Sequence, residues 1–402
     1  MKAICELAVV GAGTAGMTAA ITAAQRGLKV RVLDRCQVKP GNNSIVFLNA
    51  IDPFRQQSQQ IQDSTELFYQ QTLAYGENLA FPNLVKLLCY NSPGVLQWLE
   101  ELGVHMPKRV IRIPEGIWPR THSISYKRLT QALLDRASLL RLTISEQSEV
   151  CRILRLANGL WELHFRNGEQ LICKNIVIAS GQTSIKDLTE ENEPCFLSHL
   201  LKIGAAVTGL SFINYGPADT KTAQFLVNPT QYILVNKHGK RFVAEDSTKR
   251  RLYEKIISAE LPVFCLRFNS YVSTGVKLDS LFANQSAEFR SNVLSTLNEY
   301  RKSITAGRDY LSEGRSKNSL IPITDPGKIQ TMKVEIKPIS YLGGLAINSK
   351  SQVIGWDGLP IPGLYAAGGV CGGIHGKRAV RGNKLLASIV FGRIAGNSLP
   401  LS

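Results

Sequence analysis

Three glycines in Gly11-Ala12-Gly13-Thr14-Ala15-Gly16 follow the apolar stretch Leu7–Val10 and open a run of small residues that ends near Gln25. That spacing suits the approach of a main chain to a pyrophosphate. Gly11 permits a tight turn, Gly13 lets backbone come close to phosphate, and Gly16 lets the following helix pack against the strand. The free N–H groups and dipole at the start of such a helix favour an anion. Gly27 closes the helix, Lys29–Leu33 reads as the next strand, and Asp34 at its end is placed to accept hydrogen bonds from a ribose hydroxyl. The chemistry implied is the binding of a dinucleotide.

A second glycine-rich segment lies at the other end of the chain. It runs from Ile361-Pro362-Gly363-Leu364-Tyr365-Ala366-Ala367-Gly368-Gly369 to Phe391-Gly392-Arg393-Ile394-Ala395-Gly396. Nicotinamide enzymes close their cofactor site differently, so the two segments together point to a flavin dinucleotide, FAD. Gly382-Asn383-Lys384-Leu385-Leu386 opens the last helix.

The chain has 402 residues, 44% of them apolar, enough for a large core and two domains. No run of about 18 apolar residues is present, so no transmembrane helix is expected. The first strand begins within a few residues of Met1, which leaves no room for a signal peptide ahead of it. Eight scattered cysteines without a CxxC or CxxCH pattern read as reduced residues of a cytoplasmic protein. No metal-ligand spacing of His and Cys occurs. The net charge of +16 is dispersed, with Lys249-Arg250-Arg251 its densest run. It reads as a solvated basic surface or as a feature that suits an anionic small-molecule substrate or an acidic redox partner, and no nucleic-acid module accompanies it.

Several elements must hold these segments. Ile45–Ile51 follows the turn-rich loop at Pro40 to Ser44, and residues 64–103 and Tyr126–Leu140 have helical spacing of apolar residues. Leu142–Glu149 and Val150–Leu156 read as strands. Trp161–Phe165 and Glu169–Cys173 read as a hairpin about Asn167-Gly168, and Ile176–Ala179 as a separate buried strand. Helices are expected near Thr248–Ser258 and Ser286–Ser303, inside a central block of mixed α+β character.

With both ends in view, the chain resembles the fumarate reductase and succinate dehydrogenase flavoprotein superfamily, which includes the 3-ketosteroid dehydrogenases. Besides the two glycine segments, the resemblance rests on Gly41-Asn42-Asn43-Ser44, on Trp98-Leu99-Glu100-Glu101-Leu102-Gly103-Val104 and on Ile176–Gly181. It also rests on Val235-Asn236-Lys237-His238-Gly239-Lys240-Arg241-Phe242. It implies an α/β fold: a Rossmann-like FAD-binding domain of the glutathione-reductase type (GR2), interrupted by an α+β capping domain, with the active site between them. The expected boundaries are 1–208 and 338–402 for the FAD-binding domain and 209–337 for the cap.

The resemblance further implies how FAD lies. Gly11, Ala12, Gly13, Thr14, Ala15 and Gly16 would take the pyrophosphate, Asp34 and Arg35 the adenosine ribose. Val150, Ala179, Ser180 and Gly181 would meet the adenine side, and Gly41, Asn42, Asn43 and Ser44 the ribityl and isoalloxazine. Gly368, Gly369, Gly382, Asn383, Leu385 and Leu386 complete the set. Some relatives attach FAD through a histidine after the second strand. No histidine lies between Asp34 and His105, so attachment by that route is excluded and non-covalent FAD is expected.

The family's catalytic pattern is not kept. Its two histidine positions are Gly216 and Ile339 here, its proton-donating arginine aligns with Lys249 beside Arg250, and its last arginine aligns with Ala379 between Arg378 and Arg381. Fumarate is therefore not the expected substrate. Candidates for substrate contact or proton transfer are Arg378, Arg381, His375, Arg250, Lys249 and Tyr341, with Arg120 and His122 in a loop expected to border the flavin. The expected reaction is reduction or formation of a C=C bond next to a carbonyl or carboxylate, by hydride transfer at flavin N5. No second dinucleotide fingerprint occurs, so electrons are expected to pass to or from a protein, a quinone or oxygen. The alternatives are an oxidase of a C–N or C–O bond and a flavin-binding partner protein without catalysis.

Overall fold

The structure is a computed structural model. It describes residues 4–113, 115–182, 196–222, 224–226, 229–268, 282, 284–311, 314–315, 317–320 and 329–401. The chain divides into two compact units, Met1–Ile213 with Tyr341–Ser402, and Asn214–Ser340.

In the first unit β1 (Cys5–Val10), α1 (Thr14–Gln25) and β2 (Val30–Leu33) form the opening strand–helix–strand. Then come β3 (Ile45–Asn49), α2 (Pro53–Ser58), α3 (Thr65–Tyr75), α4 (Pro82–Tyr90), α5 (Ser92–Glu101), β4 (Thr121–Ser125) and α6 (Tyr126–Leu139). They are followed by β5 (Thr143–Ser145), β6 (Val150–Arg155), β7 (Trp161–Phe165), β8 (Gln170–Ile178), α7 (Phe196–Lys202) and β9 (Val207–Thr208). The second unit carries most of β10 (Ile213–Asp219), then β11 (Tyr232–Val235), α8 (Lys249–Ser258), β12 (Val263–Phe268), α9 (Ala287–Ala306) and most of β13 (Ile329–Tyr341). The chain returns to the first unit with β14 (Gly344–Leu345), β15 (Gln352–Ile354), β16 (Pro360–Ala366) and α10 (Asn383–Ser398).

The main sheet of the first unit has the order β15-β16-β8-β1-β2-β5. Strand β1 lies at its centre, parallel to β2 and β8, and Leu7, Ala8 and Val9 are fully buried. That is why its sequence is a continuous apolar run rather than an alternating one. Side-chain caps mark where the helical region breaks: Ser64 accepts from the Leu67 N–H at the start of α3, and Ser125 from the Arg128 N–H at the start of α6.

Two strand expectations are corrected. Glu169–Cys173 and Ile176–Ala179 are not separate strands but parts of one, β8. Its first half pairs antiparallel with β7 and its second half parallel with β1 and β16, the exchange falling at Cys173, which faces both Trp161 and Cys5. The strand expected over Leu142–Glu149 is only Thr143–Ser145, because Arg141 (φ 53°) and Gln147 (φ 52°) turn the chain on either side.

Helices α1 and α10 share the closest helix contact of this unit. A Cβ on Gly392 would lie 2.7 Å from the Ala15 carbonyl oxygen, and one on Gly396 2.6 Å from that of Ala19. The helices therefore run side by side in the same direction, with main chain against main chain. Gly392→Val is expected to destabilise the protein by about 1–3 kcal/mol through overpacking. Thermal melting checks it; an unchanged Tm would show that the helix pair can separate freely.

In the second unit an antiparallel sheet of order β10-β13-β12-β11 is covered on both faces. Alternation along β11 explains this: Ile233 and Val235 pack with Phe289, Val293 and Leu297 of α9, while Tyr232 and Leu234 pack with Leu252 and Ile256 of α8. A buried ion network ties its loops. Glu245 pairs with both Arg241 and Arg315, and Asp309 pairs with Arg241 (2.8–2.9 Å), with both arginines against the Tyr300 ring.

Candidate functional site

The C-terminal ends of β1, β2, β8 and β16 bring the two glycine segments together, at the edge where open parallel sheets bind ligands. Gly11 donates its N–H to the Leu33 carbonyl (2.8 Å) and has φ +107°; a Cβ there would stand 2.4 Å from the Ala179 oxygen. Gly13 is different. Nothing lies within 4 Å of where its Cβ would be, it is the N-cap of α1, and no side chain caps that helix. The first-turn amides of α1 are thus left for a ligand.

Asp34 holds this turn as well as facing outward. Its Oδ2 accepts the Ala12 N–H (2.7 Å) and its Oδ1 the Cys36 N–H (2.8 Å), while neighbouring Arg35 is exposed. Ala179 donates to the Val10 carbonyl (2.8 Å), Ser180 and Gly181 are exposed beyond it, and Val150 is buried at the start of β6. Gly368 backs onto Ala15 and Gly369 onto Gly181 and Gln182. Gly41 lies against the Tyr126 ring and donates to Thr130 Oγ1 (2.7 Å), and Asn42, Asn43 and Ser44 are exposed.

At the other end, α10 also begins at a glycine with no side-chain cap, Gly382. A buried polar network fixes this start. Asn49 Nδ2 donates to the Arg381 carbonyl (2.7 Å) and to Asn383 Oδ1 (2.8 Å), and Asn49 Oδ1 accepts the Thr121 hydroxyl (2.6 Å). Asn383 Nδ2 reaches Thr72 Oγ1 at 3.3 Å. Leu385 is half-buried, whereas Leu386 is fully buried and gives its N–H to the Gly382 carbonyl (3.2 Å). Asn49→Ala strands two buried partners and is expected to destabilise by about 1–3 kcal/mol. A melting curve reads this, and an unaltered Tm would mean the network contributes nothing.

The register of α1 on α10 separates the two uncapped starts. Thr14 stands level with Phe391, and α10 begins eight residues earlier (383 against 391), about 12 Å ahead at the helical rise. One start suits a pyrophosphate; the other, further along, suits the electron-rich edge of a flavin joined to it through an extended ribityl chain. The residues present fit FAD.

The candidate catalytic side chains are dispersed. Arg378 Nη2 pairs with Glu77, which also meets Lys377 Nζ (3.3 Å). Arg381 Nη2 pairs with Glu115 (3.1 Å), and its guanidinium lies over the Phe47 ring (5.8 Å) with much of it exposed. Tyr341 donates its backbone N–H to Gln182 Oε1 (2.9 Å). His375 is buried and its Nδ1 has no partner among the described residues; burial and nearby Lys384 push its pKa down to about 3. Lys249 and Arg250 belong to the other unit. Arg250 pairs with Glu254 on the half-exposed face of α8, and the Lys249 side chain lies outside what the structure describes.

Arg120 is buried and held by Asp63 through two hydrogen bonds, Nε–Oδ2 at 2.9 Å and Nη2–Oδ1 at 2.7 Å. His122 is fully buried, with a pKa lowered to about 4 by burial. Glu77, Glu115, Asp63 and Asn49 were missed by sequence reasoning, and no local signal marks them: Glu115 and Arg381 are 266 residues apart. In the second unit, the two positions aligned with family histidines meet directly. The Ile339 Cδ1 stands 2.1 Å from where a Gly216 Cβ would be, so an apolar pair occupies that place.

The fold and its cradle define a flavoprotein. Residues 6–185 and 196–385 match the model of the FAD binding domain family; the chain belongs to it and is an FAD-dependent oxidoreductase. It is 26% identical to the NADH:fumarate oxidoreductase of Klebsiella pneumoniae, over 98% of this chain and 47% of that protein, so it spans about half of that relative's length. Among solved structures it is similar to the open conformation of a flavocytochrome c3 fumarate reductase, with TM-score 0.78, 24% identity, and 98% and 78% of the two chains covered. It is also similar to the 3-ketosteroid Δ1-dehydrogenase of Sterolibacterium denitrificans, with TM-score 0.76, 14% identity, and 98% and 99% covered. Among the described residues no helix is long and apolar enough to cross a membrane.

Proposed function

We propose that this protein holds FAD non-covalently and reduces or forms a C=C bond adjacent to a carbonyl or carboxylate. The observation that carries the reading is the pair of uncapped glycine starts, α1 and α10, about 12 Å apart along one helix pair. A relative named for fumarate reduction supports the C=C chemistry. Bound FAD would supply a hydride, and an activated C=C bond next to an electron-withdrawing oxygen accepts it, with a proton added at the neighbouring carbon.

The residues of this chain would do the rest. Arg381, partly exposed beside the start of α10, would meet an anionic substrate, with Glu115 pairing with one edge of the guanidinium. The apolar contact of Gly216 with Ile339 argues against the two-histidine grip of a dicarboxylate and for a substrate with a single polar head. Electrons would be exchanged with a separate protein, a quinone or oxygen.

The test is anaerobic. The FAD-loaded protein is reduced with dithionite and offered a panel of α,β-unsaturated acids and ketones. At least one should reoxidise the flavin faster than buffer does, with one equivalent of saturated product formed. If none does, the reductase reading falls; hydrogen peroxide formed during turnover of an amine or alcohol would replace it with an oxidase. Denaturation should release free FAD into the filtrate, and flavin remaining on the protein would overturn non-covalent binding.

A further inference from the structure

A narrow cavity in the first unit lies beneath the loop that leads into α10. Its polar lining is Asn49, Gln71, Thr72, Arg120 and Thr121, with Gly116 and Val380 in its walls. It has room for about one water-sized group. The groups around it are unequally satisfied. Asn49 Oδ1 accepts the Thr121 hydroxyl, Thr72 Oγ1 accepts from Asn383, and both Asp63 oxygens accept from Arg120. Of the three guanidinium nitrogens of Arg120, Nη1 alone has no partner among the described residues, and the side chain is only 4% exposed. The cavity therefore offers a fixed, buried donor beside oxygens of Asn49, Thr72 and Asp63 that are already engaged.

We propose that this cavity is an acceptor subsite. It would receive the activating carbonyl or carboxylate oxygen of the substrate, with Arg120 Nη1 as donor. The inference rests on the C=C reading above and deepens it. Arg120 and Asp63 together are neutral, so the subsite suits the oxygen of a ketone as well as one oxygen of an acid. A hydrogen bond to that oxygen is stronger as negative charge builds on it during hydride addition, so Arg120 would favour the transition state as well as binding. The Asp63 carboxylate keeps the guanidinium from turning. The Phe68 ring, 4.5 Å from its central carbon, fixes the plane.

The test uses FAD-loaded protein and two probes, crotonate and 2-cyclohexenone, titrated against the flavin absorption spectrum. Arg120→Gln removes the donor but also strips Asp63 of its partner. Gly116→Val is the cleaner variant, because a Cβ there would make only ordinary contacts, 3.4 Å to Ile113 and 3.5 Å to Trp118. The expected result is that at least one probe perturbs the flavin spectrum, that Gly116→Val raises its Kd at least about tenfold, and that the Tm stays put. Equal Kd in wild type and Gly116→Val overturns the subsite, as does the absence of any probe-dependent perturbation, which would leave a cavity that holds only water. If either probe reoxidises reduced flavin equally fast in wild type and both variants, the subsite falls and the C=C reading stands. If no acceptor reoxidises it at all, the C=C reading falls, while the titration still decides the subsite.

Discussion

Gly13→Val should give a protein that folds and does not retain FAD. The position has open space where a side chain would go and an extended backbone (φ −69°, ψ −179°) that valine adopts. Replacing glycine at an N-cap changes stability by about 1 kcal/mol at most in this setting. The new side chain would occupy the approach to the α1 amides. Losing two charge-assisted hydrogen bonds of about 1.5–3 kcal/mol each weakens binding about 100-fold or more. Gly11→Val is the control with the opposite signature. Its Cβ would sit 2.4 Å from the Ala179 oxygen at φ +107°, so overpacking and a left-handed backbone together destabilise the fold by about 2–5 kcal/mol. Equilibrium dialysis of FAD and melting of the two apoproteins separate the cases. Tight FAD binding by Gly13→Val would remove the pyrophosphate from the N-terminus of α1.

The difference between these glycines shows what the sequence could and could not disclose. Spacing in Gly11–Gly16 shows that a turn must form and that a helix must pack closely, because those demands are local and fall on one residue type. The start of α10 was equally visible from Gly382 and the helical stretch after it. What holds it was not: Asn49, Thr72 and Thr121 are ordinary polar residues on three other elements, and only the fold makes them one network. The same holds for the candidate arginines. Arg378 and Arg381 were visible as cations beside a glycine loop, but their partners Glu77 and Glu115 lie hundreds of residues away in the chain. The misread strand has a related cause. An apolar pattern reports burial, and where β8 changes partners Lys174 is exposed and Asn175 is polar, so the pattern breaks there although the strand does not. The resemblance led us to expect Gly216 and Ile339 at the family's histidine positions; that the two stand against each other required the sheet.

Lowering the pH from 6.5 toward 4 should unfold this protein by way of two buried histidines. His375 and His122 have folded-state pKa values near 3 and 4, against 6.5 for an unperturbed imidazole, in both cases chiefly because burial disfavours the cation. Lys384 adds repulsion at His375. At His122, Asp52 is 4.0 Å away but its Oδ2 accepts from Arg55 Nη1 at 2.8 Å, and Arg55 itself repels the proton. Between pH 6.5 and these values the unfolded chain binds protons that the folded chain refuses. Stability therefore rises with pH through this window and is lost as pH falls, by about 1.4 kcal/mol per pH unit per histidine and about 3–5 kcal/mol apiece in full. Urea unfolding of His375→Gln across pH 4–7 should show a slope smaller by one proton than wild type, whatever its stability at pH 7. An identical slope would show that His375 titrates in the folded state as it does in the unfolded chain. The same neutrality bears on catalysis: an imidazole that takes no proton above about pH 4 cannot act as a cationic acid at neutral pH. A group titrating near neutrality in the kcat/KM profile should therefore persist in His375→Gln.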